Sequence, residues 1–131
     1  AISSEGFDRV HLAGRLNDTR LVEAVSSASG MVFVPWFEGF GVPILEAMSC
    51  GVPVIASNVT SLPEVCDEAA FALVDPGDRM AIAQAMLGLE QDQAAAAEAS
   101  AKGLARAGTY SWTQTVGAFD AAVDALLTSK P

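Results

Sequence analysis

Short apolar runs alternate with longer stretches of helical periodicity along this chain. Met31-Val32-Phe33-Val34, Val52-Pro53-Val54-Ile55-Ala56 and Ala70 to Val74 are continuous apolar runs of strand length and read as buried strands. Val10-His11-Leu12-Ala13 reads as a shorter strand ahead of them, and a proline near the start of a strand, as at Pro53, is tolerated. Between the strands the period changes. Leu21, Val22, Val25 and Ala28 share one helical face behind Asn17 and Asp18, either of which can cap it. Pro43 to Cys50 predicts a short helix that starts on a proline and stops at Gly51. Leu62 to Asp67 predicts another. Asp78 is placed to cap a helix whose Ile82, Ala85, Met86 and Leu89 face inward, and residues 92–107 are alanine-rich and helical. Ser111 and Gln114 fit a capping box. The helix they open repeats Trp112, Val116, Phe119, Val123 and Leu126 at helical spacing, which predicts a core position for Trp112 and Phe119. Strands alternating with helices predict an α/β fold: a Rossmann-like parallel sheet flanked by helices, with right-handed crossovers.

One stretch departs from plain alternation. Glu38-Gly-Phe-Gly-Val-Pro-Ile-Leu-Glu46 places two carboxylates eight residues apart around a Gly-Phe-Gly turn. It joins the Met31 strand to the Pro43 helix, so Gly39 and Gly41 fall at the carboxyl edge of the sheet, where open α/β folds bind ligands. A helix N-terminus offers unpaired N–H groups and partial positive charge, and glycine allows close approach to the main chain. A phosphate or diphosphate suits that place. The carboxylates repel such a group and are better suited to accept hydrogen bonds from the paired hydroxyls of ribose or a sugar. A diphosphate flanked by two polyols is a nucleotide-sugar.

Composition narrows the classes. At 131 residues the chain is of single-domain size and large enough for a core. Its formal charge of −9 argues against nucleic acid or an anionic membrane surface as partner, and a solvated acidic surface is the plain reading. No run of apolar residues is long enough to span a bilayer, and the first residues lack a signal-peptide pattern. Cys50 and Cys66 are the only cysteines, each beside apolar residues and in no Cys-x-x-Cys or Cys/His cluster. They read as free thiols in a reducing compartment, and no metal site is expected.

The combined run from Glu38 to Val65 resembles the nucleotide-sugar-binding domain of retaining GT-B glycosyltransferases. The match lies in the group 1, family-4-like enzymes that include bacterial mannosyl- and glucosyltransferases. Ala47-Met48-Ser49-Cys50-Gly51-Val52-Pro53-Val54-Ile55-Ala56-Ser57 and Ser61-Leu62-Pro63-Glu64-Val65 carry the resemblance with the glutamate stretch. So do Leu73-Val74-Asp75-Pro76 and Tyr110-Ser111-Trp112. The resemblance implies that Glu46 grips the ribose hydroxyls and that Glu38 lies beside the transferred sugar. There Glu38 would orient hydroxyls or stabilise positive charge at the anomeric carbon as the catalytic residue. Gly39, Phe40, Gly41, Val42, Pro43, Ile44 and Leu45 are expected to line the donor site, mostly through backbone N–H groups, with Phe40 either a ligand contact or a core plug. Arg15 and Leu16 would meet the nucleobase, Arg15 also reaching a phosphate or else standing as a surface arginine. His11, Glu64 and Asp75 are given no chemistry. The segment before Glu38 departs from the family pattern of proline, serine, two residues and glutamate. Pro35-Trp36-Phe37-Glu38 is one residue shorter and has Trp36 where the serine would stand.

The resemblance implies a metal-independent hexosyl transfer, of mannose, rhamnose or glucose type, from a GDP- or UDP-sugar, with no cofactor. The acceptor, a glycan or glycolipid, would be held by a separate domain. It also implies that residues 1–131 are a partial donor-binding domain, truncated at the N-terminal side and inactive alone. A sheet edge would then be exposed, for a homo-oligomer or a rearranged element to cover. A cytoplasmic location is expected, with the parent peripheral at the inner membrane face. Two other readings fit the residues: a non-catalytic nucleotide-binding or assembly module, and another GT-B-shaped sugar-nucleotide enzyme such as an epimerase.

Overall fold

The computed structural model describes residues 9–128. Six α-helices and three strands follow one another as α1 (Asp18–Ser26), β1 (Met31–Phe33), α2 (Val42–Ser49), β2 (Val54–Ser57), α3 (Leu62–Cys66), β3 (Ala72–Val74), α4 (Arg79–Gln91), α5 (Gln93–Ala107) and α6 (Trp112–Thr128). A 3₁₀ turn, Asp67–Ala69, links α3 to β3. The strands form a parallel sheet in the order β1-β2-β3, with Val32 opposite Ile55 and Ala56 opposite Leu73. The α/β reading therefore holds.

The core is built around β2, whose four residues are all buried. Alternation along the strand divides them between two faces. Val54 and Ala56 pack with Ile44, Ala47 and Met48 of α2 and with Leu62, Val65 and Cys66 of α3. Ile55 points the other way, into a space shared with Val32 of β1 and with Met86 and Leu89 of α4. Helix α5 lies across α2, where Gly103 makes the approach close: a Cβ there would stand 3.1 Å from Met48 Cγ. Ser100 Oγ fastens this layer by donating to the Gly51 carbonyl at 2.6 Å. The caps fall where the side chains indicated. Asn17 accepts from the Arg20 amide, Asp78 from Met80 and Ala81, and Ser111 from Gln114. Gly51 takes the left-handed conformation that ends α2, at φ +73°.

Three expectations fail. Val10 to Ala13 is not a strand; its residues are exposed, His11 among them. A strand needs a hydrogen-bonding neighbour, and among the described residues β1 pairs only with β2, leaving its outer edge without a partner. Helix α6 forms, but Trp112 is 84% and Phe119 68% exposed, so neither belongs to the core. Helical spacing defined an apolar face correctly and said nothing about what covers it. On α1, Leu21 and Val22 are likewise exposed, and Ala28 lies beyond the helix end.

Both cysteines are free, Cys50 half-buried and Cys66 buried. Burial pushes the Cys66 thiol up to about 11, against a smaller opposite pull from the Arg106 guanidinium. A thiolate-selective disulfide reagent at about pH 8 should therefore react promptly with Cys50 and with Cys66 only after unfolding in urea. Prompt release of two equivalents from the folded chain would show that Cys66 lies outside the core.

Candidate functional site

The chain leaving β1 is held before it reaches the first glutamate. Ser57, fully buried at the end of β2, donates to the Pro35 carbonyl at 2.8 Å. Three residues on, Glu38 folds back on its own loop: Oε1 accepts from the Gly39 amide at 2.9 Å and from the Phe40 amide at 3.3 Å. Ser61, just ahead of α3, shares its hydroxyl hydrogen between the Glu38 carbonyl at 3.1 Å and the Phe40 carbonyl at 3.2 Å. Gly41 then turns the chain into α2 with φ +103°, and a Cβ there would stand 2.6 Å from Cδ2 of buried Leu62. Conformation and contact both require glycine at this position.

The structure corrects the expectation that residues 39–45 all offer N–H groups to a ligand. The Gly39 and Phe40 amides are taken by Glu38. Pro43 has no N–H. Ile44 donates to the Gly41 carbonyl at 3.0 Å and buries its side chain in the core, while Leu45 packs half-buried against that core. Within residues 39–44, only the Gly41 and Val42 amides lack a hydrogen-bond partner among the described residues. They sit at the positive end of α2. Phe40 is half-exposed, its ring edge-on to Tyr110.

Glu46 lies one turn into α2 and is exposed. It lines a groove of about 170 Å³ between α1 and α2, together with Asp18, Leu21, Val22, Val25, Ser49 and Cys50. Two carboxylates above an apolar floor repel phosphate and suit a group that is flat and apolar on its face and rich in hydrogen-bond donors at its rim. The α1 side of this groove was not foreseen. The spacing of Leu21, Val22 and Val25 placed them on one helical face but could not say what that face meets. A larger space of about 490 Å³ beneath Ile55 opens beside Ser29 and Gly30, at the amino-terminal end of β1. Parallel α/β sheets bind ligands at the opposite, carboxyl end, so α2 and its flanks are the better candidate.

The remaining expected residues fall to the side. Arg15 is exposed after Gly14, which has φ +64°, and Leu16 is half-buried before the Asn17 cap. Neither lines the Glu46 groove or bonds to the Glu38 loop. Trp36 is largely exposed and stands over the β3–α4 turn, where a Cβ on Gly77 would meet its ring at 2.9 Å. Among the described residues, no three His, Cys, Asp or Glu side chains gather as metal ligands would.

Residues 1–92 match the family described as glycosyl transferases group 1, and the chain belongs to it. It is 45% identical over 114 residues to an O-antigen chain mannosyltransferase B of Escherichia coli, covering 84% of this chain and 30% of that protein. It is 38% identical over 114 residues to a D-inositol 3-phosphate glycosyltransferase of Mycolicibacterium smegmatis, covering 85% and 25%. Its fold is shared by a solved sucrose-phosphate synthase from Thermosynechococcus elongatus, with a TM-score of 0.79, 29% identity and coverage of 95% and 32%. The chain thus spans less than a third of the length of these relatives.

Gly41→Ala should lower stability by about 1–3 kcal/mol, the cost of forcing a side chain into this backbone region. Urea unfolding followed by circular dichroism measures it, and an unchanged midpoint would show that the turn is not fixed as described.

Proposed function

We propose that this chain is the donor-binding portion of a retaining GT-B glycosyltransferase that moves a hexosyl group, mannosyl first among the candidates, from a GDP- or UDP-sugar to a glycan or glycolipid. The observation that carries the reading is the division of labour around α2. Unpaired amides and positive helix potential stand at one end, and a carboxylate-rimmed apolar groove lies along its side. The activities of the relatives support it: two of them are a mannosyltransferase and a D-inositol 3-phosphate glycosyltransferase.

On this reading the nucleoside occupies the α1–α2 groove, with Glu46 accepting from both ribose hydroxyls. The diphosphate meets the Gly41 and Val42 amides, where the end of α2 stabilises the charge that grows on the leaving group as the glycosidic bond breaks. That role needs no metal. Glu38 keeps one carboxylate oxygen on its own loop amides, which aims the other at the sugar. There it accepts a hydroxyl hydrogen bond and stabilises positive charge at the anomeric carbon. Arg15 and Leu16 reach the base only if their loop closes over the groove. The acceptor, and the groups that complete transfer, come from outside this chain, which should bind donor without transferring sugar. No described helix is long and apolar enough to cross a membrane. The reading keeps the parent cytoplasmic, meeting lipid acceptors as a peripheral protein, with the edge of β1 that is unpaired among the described residues covered by a further strand or a second copy.

One observation favours the non-catalytic alternative: a glutamate bonded to its own loop can be purely structural. In a full-length parent, Glu38→Gln keeps that hydrogen-bonded geometry, so a large loss of kcat with an unchanged nucleotide Kd supports catalysis, and retained kcat supports the alternative.

Cys50 shares the groove with Glu46 and reports on it directly. A saturating nucleoside diphosphate should slow alkylation of Cys50. Glu46→Ala should weaken that nucleotide by about 1.5–3 kcal/mol, the size of hydrogen bonds to a charged group. Alkylation indifferent to every nucleotide tested would place the nucleoside elsewhere.

A further inference from the structure

Arg106 and Tyr110 lie far along the chain from the glutamate loop, yet the fold brings them behind it. The half-buried Arg106 on α5 donates through Nε to the Val65 carbonyl at 2.9 Å and through Nη2 to the Glu64 carbonyl at 2.7 Å. These are end carbonyls of the short helix α3, which a cation suits in both charge and hydrogen bonding. The same Nη2 donates to the Tyr110 hydroxyl at 2.9 Å. The guanidinium carbon lies 5.0 Å from the tyrosine ring centroid. Tyr110 in turn meets Phe40 edge to face, with centroids 5.8 Å apart and planes at 85°. A continuous chain of contacts therefore runs from the end of α3 through Arg106 and Tyr110 to the middle residue of Gly39-Phe40-Gly41. At the start of α3, Ser61 holds the Glu38 and Phe40 carbonyls. The loop is thus braced on its backbone by Ser61 and on its one bulky side chain by Tyr110.

We propose that Tyr110, oriented by Arg106, is a positioning residue for the sugar-diphosphate half of the site. The inference rests on the donor-binding reading above. Fixing the Phe40 ring fixes the plane of the neighbouring peptides. Those peptides aim the Glu38 carboxylate and present the Gly41 amide. The nucleoside groove is built from α1 and the flank of α2 and does not touch Tyr110. The brace therefore acts on one half of the ligand and leaves the other alone, which a general loss of stability would not do.

The test compares a nucleoside monophosphate with the matching nucleotide-sugar, by calorimetry, on this chain and its Tyr110→Ala and Tyr110→Phe variants. Tyr110→Ala should weaken the nucleotide-sugar about fivefold to tenfold, the scale of a lost aromatic contact and its hydrogen bond, with the monophosphate unchanged. Tyr110→Phe keeps the ring edge and should lie between. Phe40→Leu keeps apolar bulk, removes the ring pair and should reproduce the Tyr110→Ala split if that variant does not fold. Equal losses for both ligands, or none for either, overturn the brace while leaving donor binding intact. A wild-type chain that binds neither ligand overturns both readings together.

Discussion

Gly41 packs against the buried Leu62 side chain with its backbone at φ +103°, and both halves of the candidate site hang from that contact. A Cβ would fill the space, and few L-residues tolerate the angle, so one residue type lets β1 pass into α2 at this height. The turn sets where α2 begins, and therefore which amides remain unpaired. It also sets which flank of α2 faces α1, and therefore where Glu46 stands. Leu62 belongs to α3, whose preceding residue Ser61 holds the glutamate loop. A single apolar contact thus registers three elements.

The electrostatic design follows from that frame rather than from charged residues aimed at phosphate. Among the residues around α2, the positive potential comes from the helix end, and the charged side chains lining the groove are acidic. Backbone dipoles fixed by packing cost no rearrangement when a ligand arrives. On the proposed reading, the acidic groove would keep phosphate out of the nucleoside position and accept hydroxyl and base N–H groups. A net charge of −9 and an anionic ligand are compatible for this reason: the binding field is local.

The sequence made the local elements and the glutamate loop legible because their signals are local: apolar runs, a proline at a helix start, a glycine at its stop. It misled wherever the answer depended on a neighbour. Among the described residues, Val10 to Ala13 has strand composition but no strand beside it, and Trp112 and Phe119 have core spacing but no covering layer. The amides of the glutamate loop show the same limit. Glycines at 39 and 41 indicated open amides, but the structure gives the Gly39 and Phe40 amides to Glu38 and the Ile44 amide to Gly41. The α1 side of the groove and the Tyr110 contact with Phe40 join residues distant in sequence, and no spacing rule reaches them.

Everything proposed for this chain requires that ligand bind across the start and flank of α2. Amide and methyl chemical-shift mapping of the labelled chain, titrated with GDP and UDP, tests it most directly. The largest shifts should fall at the Gly41 and Val42 amides and at the Leu21, Val22 and Val25 methyls for at least one nucleotide, with the face around Glu98 and Lys102 unmoved. Shifts centred on that distant face, or no shifts with either nucleotide, would contradict it.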